Sequence, residues 1–118
     1  MKTILAAVLC IAAASATAQQ ARSANSGLLR VLDKVTGVVT DVRLGVGQTG
    51  ALGLLKVTLD DCRFPVSNPN GDAYARVTVT YRQEQEPVFR GWLIASAPAL
   101  HAMDHPRYDV WALRCNNE

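Results

Sequence analysis

The chain has 118 residues, enough for one small domain and no more. Its net charge of +2 is close to neutral and provides no long-range field of the kind that attracts nucleic acids or anionic membranes. Length and charge therefore exclude a large multidomain enzyme and argue against a nucleic-acid partner.

The first predicted element is a cleaved signal peptide, residues 1–18. Lys2 supplies its positive charge, and Ile4–Ala14 forms an apolar segment that is too short to span a membrane. Small residues at alternate positions end at Ala18, where we predict cleavage. Removing these residues leaves 100, with a net charge of +1. We expect a periplasmic protein without a stable membrane anchor.

Two alternatives to cleavage are less consistent with the residues. A retained membrane anchor needs about 18 continuous apolar residues, and polar residues interrupt this run from Ser15 onward. A lipid-modified Cys10 would follow a small residue, whereas Leu9 precedes it here.

Two cysteines remain after cleavage, Cys62 and Cys115. An even number of cysteines in an exported chain predicts a disulfide. Two unpaired buried thiols are the alternative. A metal site is disfavoured because the chain has no Cys-x-x-Cys pair.

Residues 19–27 are small and polar and predict a disordered tether, so the domain proper is residues 28–118. From residue 28, apolar and polar side chains alternate with the period of strands. The predicted strands are Leu28–Asp33, Val38–Leu44, Leu54–Asp60, Tyr74–Arg82, Val88–Ile94 and Asp109–Cys115.

The segments between these strands predict turns, a loop and a single helix. The glycine-rich Gly45–Gly53 predicts a turn or bulged connection, and Arg63–Asp72 a long loop. Pro98–Asp104 predicts one or two helical turns. The expected fold is mostly β: a small antiparallel sandwich or barrel of about six strands, with one short helix near the C-terminus.

The last predicted strand also carries an expectation about the disulfide. Strict alternation places Trp111, Leu113 and Cys115 on one face. The disulfide is therefore expected beside a buried indole.

Four side chains near the C-terminus have the spacing of a metal site. On a helical turn, His101, Asp104 and His105 would share one face, and Asp109 could add a further oxygen. The alternative is a solvated helix face followed by a structural His-Pro turn. Ser96 could complete a triad with His105 and Asp109, but no nucleophile-elbow motif surrounds it. We predict no metal, no cofactor and no catalytic residue.

The same part of the chain is the candidate partner surface. Tryptophan and tyrosine are enriched where proteins contact one another. The residues assigned to this surface are Trp92, Ser96, Pro98, His105, Pro106, Tyr108 and Trp111. Alternatively, they form the closing part of the core.

This stretch resembles a known bacterial family. The matching residues are Gly91-Trp92, Ser96–Leu100, His105–Trp111, Cys115, Leu32–Gly37 and Cys62. They resemble the signature of domain of unknown function 2155, whose pattern is GW-x-x-x-SSPAL followed by EHP-x-YDVW and a closing cysteine. The resemblance implies an exported, mainly alphaproteobacterial envelope protein, and it implies no activity.

Two positions depart from the family pattern. A serine usually stands at the position of His101, and a glutamate at that of Asp104. A metal site that used His101 would therefore be particular to this chain.

The expected function is a non-catalytic exported domain that binds an envelope protein or a cell-wall component. The alternative is a small metal-dependent or hydrolytic enzyme that uses His101, Asp104, His105 and Asp109.

Overall fold

A computed structural model of the chain describes residues 20–117. These residues form eight strands. In chain order the strands are β1 (Ala21–Ser23), β2 (Ser26–Asp33), β3 (Val39–Gly45), β4 (Thr49–Leu52), β5 (Leu55–Pro65), β6 (Tyr74–Tyr81), β7 (Phe89–Ile94) and β8 (Tyr108–Asn116).

The strands make two antiparallel sheets, which are not closed into a barrel. The large sheet has the order β1-β5-β6-β7, and β4 pairs with β5. The small sheet has the order β3-β2-β8, so the last strand returns to pair with one of the first. The prediction of a mostly β antiparallel fold is confirmed.

The core lies between the sheets, as the period-two patterns predict. From Leu55 to Leu59 on β5 and from Ala75 to Val79 on β6, every second side chain is buried, for example Val57 and Val77 at 0% exposure. Leu29 of β2 and Val110 of β8 face them from the small sheet. Burying one face of each sheet is the main source of stability in such a fold.

The disulfide joins the two sheets. Cys62 of β5 and Cys115 of β8 are bonded, with their Cα atoms 5.7 Å apart. Both cysteines are buried, and a Cβ at Gly27 of β2 would lie 2.8 Å from the Cys62 sulfur. The predicted disulfide is confirmed, and the close approach of β2 explains why a glycine occupies that position.

The predicted C-terminal helix is wrong. Residues 20–117 contain no helix, and therefore none that could span a membrane. Within the predicted range, Leu100 donates to the Ala97 carbonyl over 3.1 Å in a single turn that is not continued. Leu100 is 69% exposed, and of residues 98–104 only Met103 is buried in the core, so a helix here would pack no continuous apolar face against the sheets.

Two further segments differ from expectation. The predicted connection Gly45–Gly53 contains β4, in which Gly50 lies close enough to contact Leu44 of β3. Part of the predicted tether, residues 19–27, forms β1 and the start of β2. β1 is held by backbone pairing with β5, which does not require apolar side chains. The predicted signal peptide lies outside the described residues.

Candidate functional site

The two tryptophans of the predicted partner surface lie on opposite sides of the sandwich. Trp92 is on the outer face of the large sheet, across from Arg76. Trp111 is on the outer face of the small sheet, across from Arg30. Both indoles are half-buried. The candidate residues therefore do not form one continuous surface.

A bulge in β8 explains why Trp111 and Cys115 lie on different faces of the strand. The register with β2 shifts between Leu28 and Leu29, and it is Ala112, not Leu113, that follows the inward alternation. One extra residue reverses which side chains face the core. The expectation of a buried indole beside Cys115 is therefore wrong.

The remaining candidates are divided between the surface and the core. Ser96, Pro98 and Pro106 are exposed, whereas His105 and Tyr108 are buried. The Ser96 hydroxyl donates to Asp72 over 2.6 Å, and the Ser96 backbone N–H donates to the same carboxylate.

Asp72 holds Ser96 in place through two hydrogen bonds. Burial alone would raise its pKa, but hydrogen bonds from Ser96, the Ala73 N–H and Tyr74 outweigh that effect and hold the pKa below its ordinary value. Ser96 is thus tied to a charged carboxylate, an arrangement that positions a loop rather than a nucleophile.

The four metal candidates do not form a metal centre. Among residues 20–117, no group of three or more histidine, cysteine, aspartate or glutamate side chains is placed to hold an ion. His101 and Asp104 are exposed. Asp109 instead lies near Lys34, with its carboxylate 3.8 Å from the ammonium nitrogen.

His105 has a structural role in the turn before β8. Its Nδ1 accepts the backbone N–H groups of Arg107 at 3.1 Å and Tyr108 at 3.2 Å. Its ring packs on Tyr81 of β6, with the ring centroids 4.6 Å apart. The buried side chain therefore satisfies two backbone donors, as buried polar groups require.

Residues of the segment Leu32–Gly37 bind to this turn through an ion pair and hydrogen bonds. Asp33 binds Arg107, with Nη2 3.0 Å and Nε 3.3 Å from the carboxylate oxygens. Lys34 donates from its ammonium to the His105 carbonyl at 2.6 Å and from its backbone to the Arg107 carbonyl at 2.7 Å. The segments Leu32–Gly37 and His105–Trp111, more than 70 residues apart in the chain, are thus in direct contact. We call the contacts of Asp33 and Lys34 with His105 and Arg107 the junction.

The junction predicts sensitivity to acid. The hydrogen bond from Arg107 is the main reason that the pKa of Asp33 lies below its ordinary value of 3.8, against an opposing effect of burial. A carboxyl with a lowered pKa stabilises the fold above its unfolded pKa, and this stabilisation is lost as the pH falls through the folded pKa.

We therefore expect the melting temperature to fall as the pH drops below 3.8, and Asp33→Asn to weaken that dependence. Thermal unfolding followed from about pH 7 to about pH 2 measures both curves. Asp104→Asn, at an exposed aspartate, is the control and should leave the curve unchanged. Parallel curves for wild type and Asp33→Asn would contradict this assignment.

A compact group of side chains surrounds Trp92 on the outer face of the large sheet. Ile94 and Tyr74 are directly paired across β7 and β6, and Tyr74 is paired with Arg63 of β5. With Trp92 and Ala21 they line a shallow depression of about 290 Å³. We call Arg63, Tyr74, Trp92 and Ile94 the Trp92 face.

Cationic groups surround the aromatic centre of the Trp92 face. The Arg63 guanidinium lies over the indole, 5.4 Å from its centroid. Arg76 and Arg90 lie on the same side of the sheet and are exposed. Arg63 is also held by Asp61 at 2.9 Å, which fixes the guanidinium in place over the ring.

Sequence reasoning identified Trp92 but missed its neighbours. Alternation along Tyr74–Arg82 places Tyr74 on the same side as Arg76, which was the available signal. That β5, β6 and β7 are adjacent, in a register that brings Arg63 beside Tyr74, is a property of strand pairing that periodicity does not encode.

The chain is similar to a family of bacterial proteins. The family model DUF2155, described as "Uncharacterized protein conserved in bacteria", matches residues 27–115. The uncharacterized protein RP359 of Rickettsia prowazekii (strain Madrid E) is 29% identical over 93 residues. These residues cover 76% of this chain and 60% of the relative, so the chain spans less than two thirds of the relative's length. No solved structure matches the chain.

Proposed function

We propose that this chain, which belongs to the DUF2155 family of uncharacterized bacterial proteins, is a non-catalytic exported domain that binds a protein of the cell envelope. The contact surface in this proposal is the Trp92 face. The observation that carries it is the half-buried indole of Trp92 on an outer sheet face, with a guanidinium held 5.4 Å above it.

The chemistry of this face favours a protein partner. Tryptophan, tyrosine and arginine are the residues that most often dominate binding energy at protein interfaces. A partly desolvated aromatic centre with a charged rim is the usual anatomy of such a contact. The depression is shallow and lined mainly by apolar atoms, which suits a projecting side chain better than an extended polar ligand.

The opposite face supplies a matched control for the test. Trp111 is also a half-buried tryptophan, on the outer face of the other sheet, so Trp111→Ala removes the same side chain from a comparable position. Any effect of Trp92→Ala that Trp111→Ala does not share belongs to the Trp92 face.

We expect Trp92→Ala to weaken binding to washed native envelopes by about 30-fold, equivalent to about 2 kcal/mol, and Trp111→Ala to change it little. Cosedimentation of the purified domain with envelopes measures this. Protease treatment of the envelopes should abolish binding.

Equal losses in the two tryptophan variants would contradict the assignment of the surface. Binding that survives protease treatment and persists on purified cell walls would replace the protein partner with a cell-wall ligand.

A further inference from the structure

β7 is the last strand of the large sheet, and its outer edge is open. Within residues 20–117 it pairs only with β6. Gly91 of β7 has no side chain, so its partial exposure is exposure of the backbone itself. An open edge is a template for another strand, and natural proteins normally protect it with proline, lysine, a bulge or a covering segment. β7 contains neither proline nor lysine, and its register with β6 is unbroken.

Hydrogen bonding to β6 shows which backbone groups of β7 point outward. The Ala95 N–H donates to the Ala73 carbonyl at 2.9 Å, and this pair continues the register of the two strands. Hydrogen-bonded pairs alternate along an antiparallel ladder, so the odd-numbered residues of β7 bond to β6. The N–H and C=O groups of Arg90 and Trp92 therefore point away from the sheet. Within the described part of the chain, these four groups have no hydrogen-bond partner.

The free backbone groups and the side chains of the Trp92 face belong to the same stretch of β7. The stretch ends at Ile94, whose carbonyl accepts the Ala97 N–H at 3.2 Å. A strand that pairs with Arg90 and Trp92 places its own side chains next to theirs on the outer face. The shallow depression of the Trp92 face stays available for an apolar side chain of the same partner.

Two arginines beside this edge have no ionic partner. Arg90 is on β7, and Arg76 lies across from Trp92 on β6; both arginines are exposed. Within residues 20–117, neither guanidinium forms an ion pair or a hydrogen bond. The aspartates of β5 on this face, Asp60 and Asp61, are hydrogen-bonded to other side chains. The free charge beside the open edge is therefore positive.

We propose that the partner contributes an extended acidic segment, which pairs with β7 as an added antiparallel strand. This inference rests on the proposed function, in which the Trp92 face binds an envelope protein, and it identifies the segment that is bound. Backbone hydrogen bonds to Arg90 and Trp92 provide affinity, as in other proteins that bind a peptide at a sheet edge. Acidic side chains opposite Arg90 and close to Arg76 provide specificity. A second copy of β7 is disfavoured, because it would add two more unpaired arginines to the same face.

Two substitutions at one position separate the backbone from the charge. Arg90→Pro removes an outward N–H, a change that an edge strand tolerates, whereas Arg90→Ala removes the charge and keeps the N–H. We expect Arg90→Ala to weaken binding to washed envelopes by about threefold. Arg90→Pro should weaken it by about a further fivefold, the effect of one hydrogen bond. Thermal melting checks that both variants are folded.

Charge reversal tests the acidic character of the segment. Arg76→Glu should weaken envelope binding at low salt by at least about tenfold, because it places a carboxylate next to the acidic strand. Arg114→Glu is the control, since it makes the same change of charge at an exposed arginine of the small sheet. It should change binding little.

A synthetic peptide of about ten residues that alternates glutamate and valine is the direct probe. Opposite residues of an antiparallel pair that share a face also share hydrogen bonds, so the glutamate amides face β7. We expect this peptide to displace the domain from envelopes. The same peptide with lysine in place of glutamate, or with N-methylated glutamates, should not displace it.

Strand pairing and the proposed function fail in different ways. If Trp92→Ala weakens envelope binding but Arg90→Pro binds as well as Arg90→Ala and the glutamate peptide does not compete, the Trp92 face is correct and strand pairing is wrong. If Trp92→Ala binds like the wild type, the Trp92 face is wrong, and the inference fails with it. Self-association of the wild type that Arg90→Pro abolishes would assign the edge to a second copy and overturn the proposal.

Discussion

Cys62→Ser is expected to unfold the domain about 20 °C below the wild type. The bridge closes a sequence separation of 53 residues. The chain-entropy model assigns such a loop about 4 kcal/mol, and in a domain of about 100 residues each kcal/mol corresponds to roughly 4–8 °C. Because the bond connects β5 to β8, its loss also removes the one disulfide between the two sheets within the described residues. Thermal melting under non-reducing conditions measures the effect.

The matching controls are Cys115→Ser and the double variant. Both should have the same melting temperature as Cys62→Ser, because none of the three variants can form the disulfide. In protein that begins at residue 19, a thiol reagent should find one reactive cysteine in each single variant and none in the non-reduced wild type. An unchanged melting temperature, or two titratable thiols in the wild type, would contradict the bridge.

His105→Ala is expected to have the second largest effect, a loss of about 3 kcal/mol in the free energy of unfolding. The substitution leaves the N–H groups of Arg107 and Tyr108 without their acceptor. Unsatisfied buried donors cost about 1–3 kcal/mol, and the contact with Tyr81 is lost as well. Chemical denaturation measures the loss.

Three companion variants separate the causes. His101→Ala changes an exposed histidine and should alter stability by less than about 0.5 kcal/mol. His105→Asn keeps an acceptor close to the position of Nδ1, and His105→Phe keeps an aromatic ring. If the hydrogen bonds dominate, His105→Asn is the more stable of the two. Equal effects of His101→Ala and His105→Ala would contradict the structural role.

The buried faces of the strands could be predicted from the sequence because a buried position on a strand is normally occupied by an apolar residue. Leu55, Val57 and Leu59 alternate with polar residues on β5, and Val77 and Val79 do so on β6; all five are fully buried. The disulfide was predicted from the expected export of the chain and from its even number of cysteines after residue 18. Neither inference depends on knowing which strands are neighbours.

The wrong assignments of secondary structure have physical causes that the residue pattern of one segment does not reveal. β4 contains Gly50, whose lack of a side chain allows Leu44 to approach closely, and glycine-rich segments are otherwise typical of turns. The bulge in β8 at Leu113 brings Cys115 to the inner face together with Ala112, so Trp111 and Cys115 do not share a face. Pro98 and Leu100 are compatible with a helix, but of residues 98–104 only Met103 is buried in the core, which is too little contact to stabilise a helix.

The candidate site was predicted only in part for a related reason. His105 and Trp92 are both residue types that often occur in functional sites. Only the structure shows that His105 is buried, whereas Trp92 lies on the outer face of the large sheet. The partners of His105 come from the backbone of its own turn and from β6. Those of Trp92 come from strands β5 and β6.

Site-specific photocrosslinking in living cells tests the proposed binding surface most directly. A photoreactive amino acid at Arg90, which is exposed beside Trp92 on the large sheet, is compared with one at Trp111 on the small sheet. The account predicts a discrete protein adduct from position 90 that disappears in the Trp92→Ala background, and none of the same mass from position 111. The same adduct from both positions, or an adduct from position 90 that persists without Trp92, would contradict it.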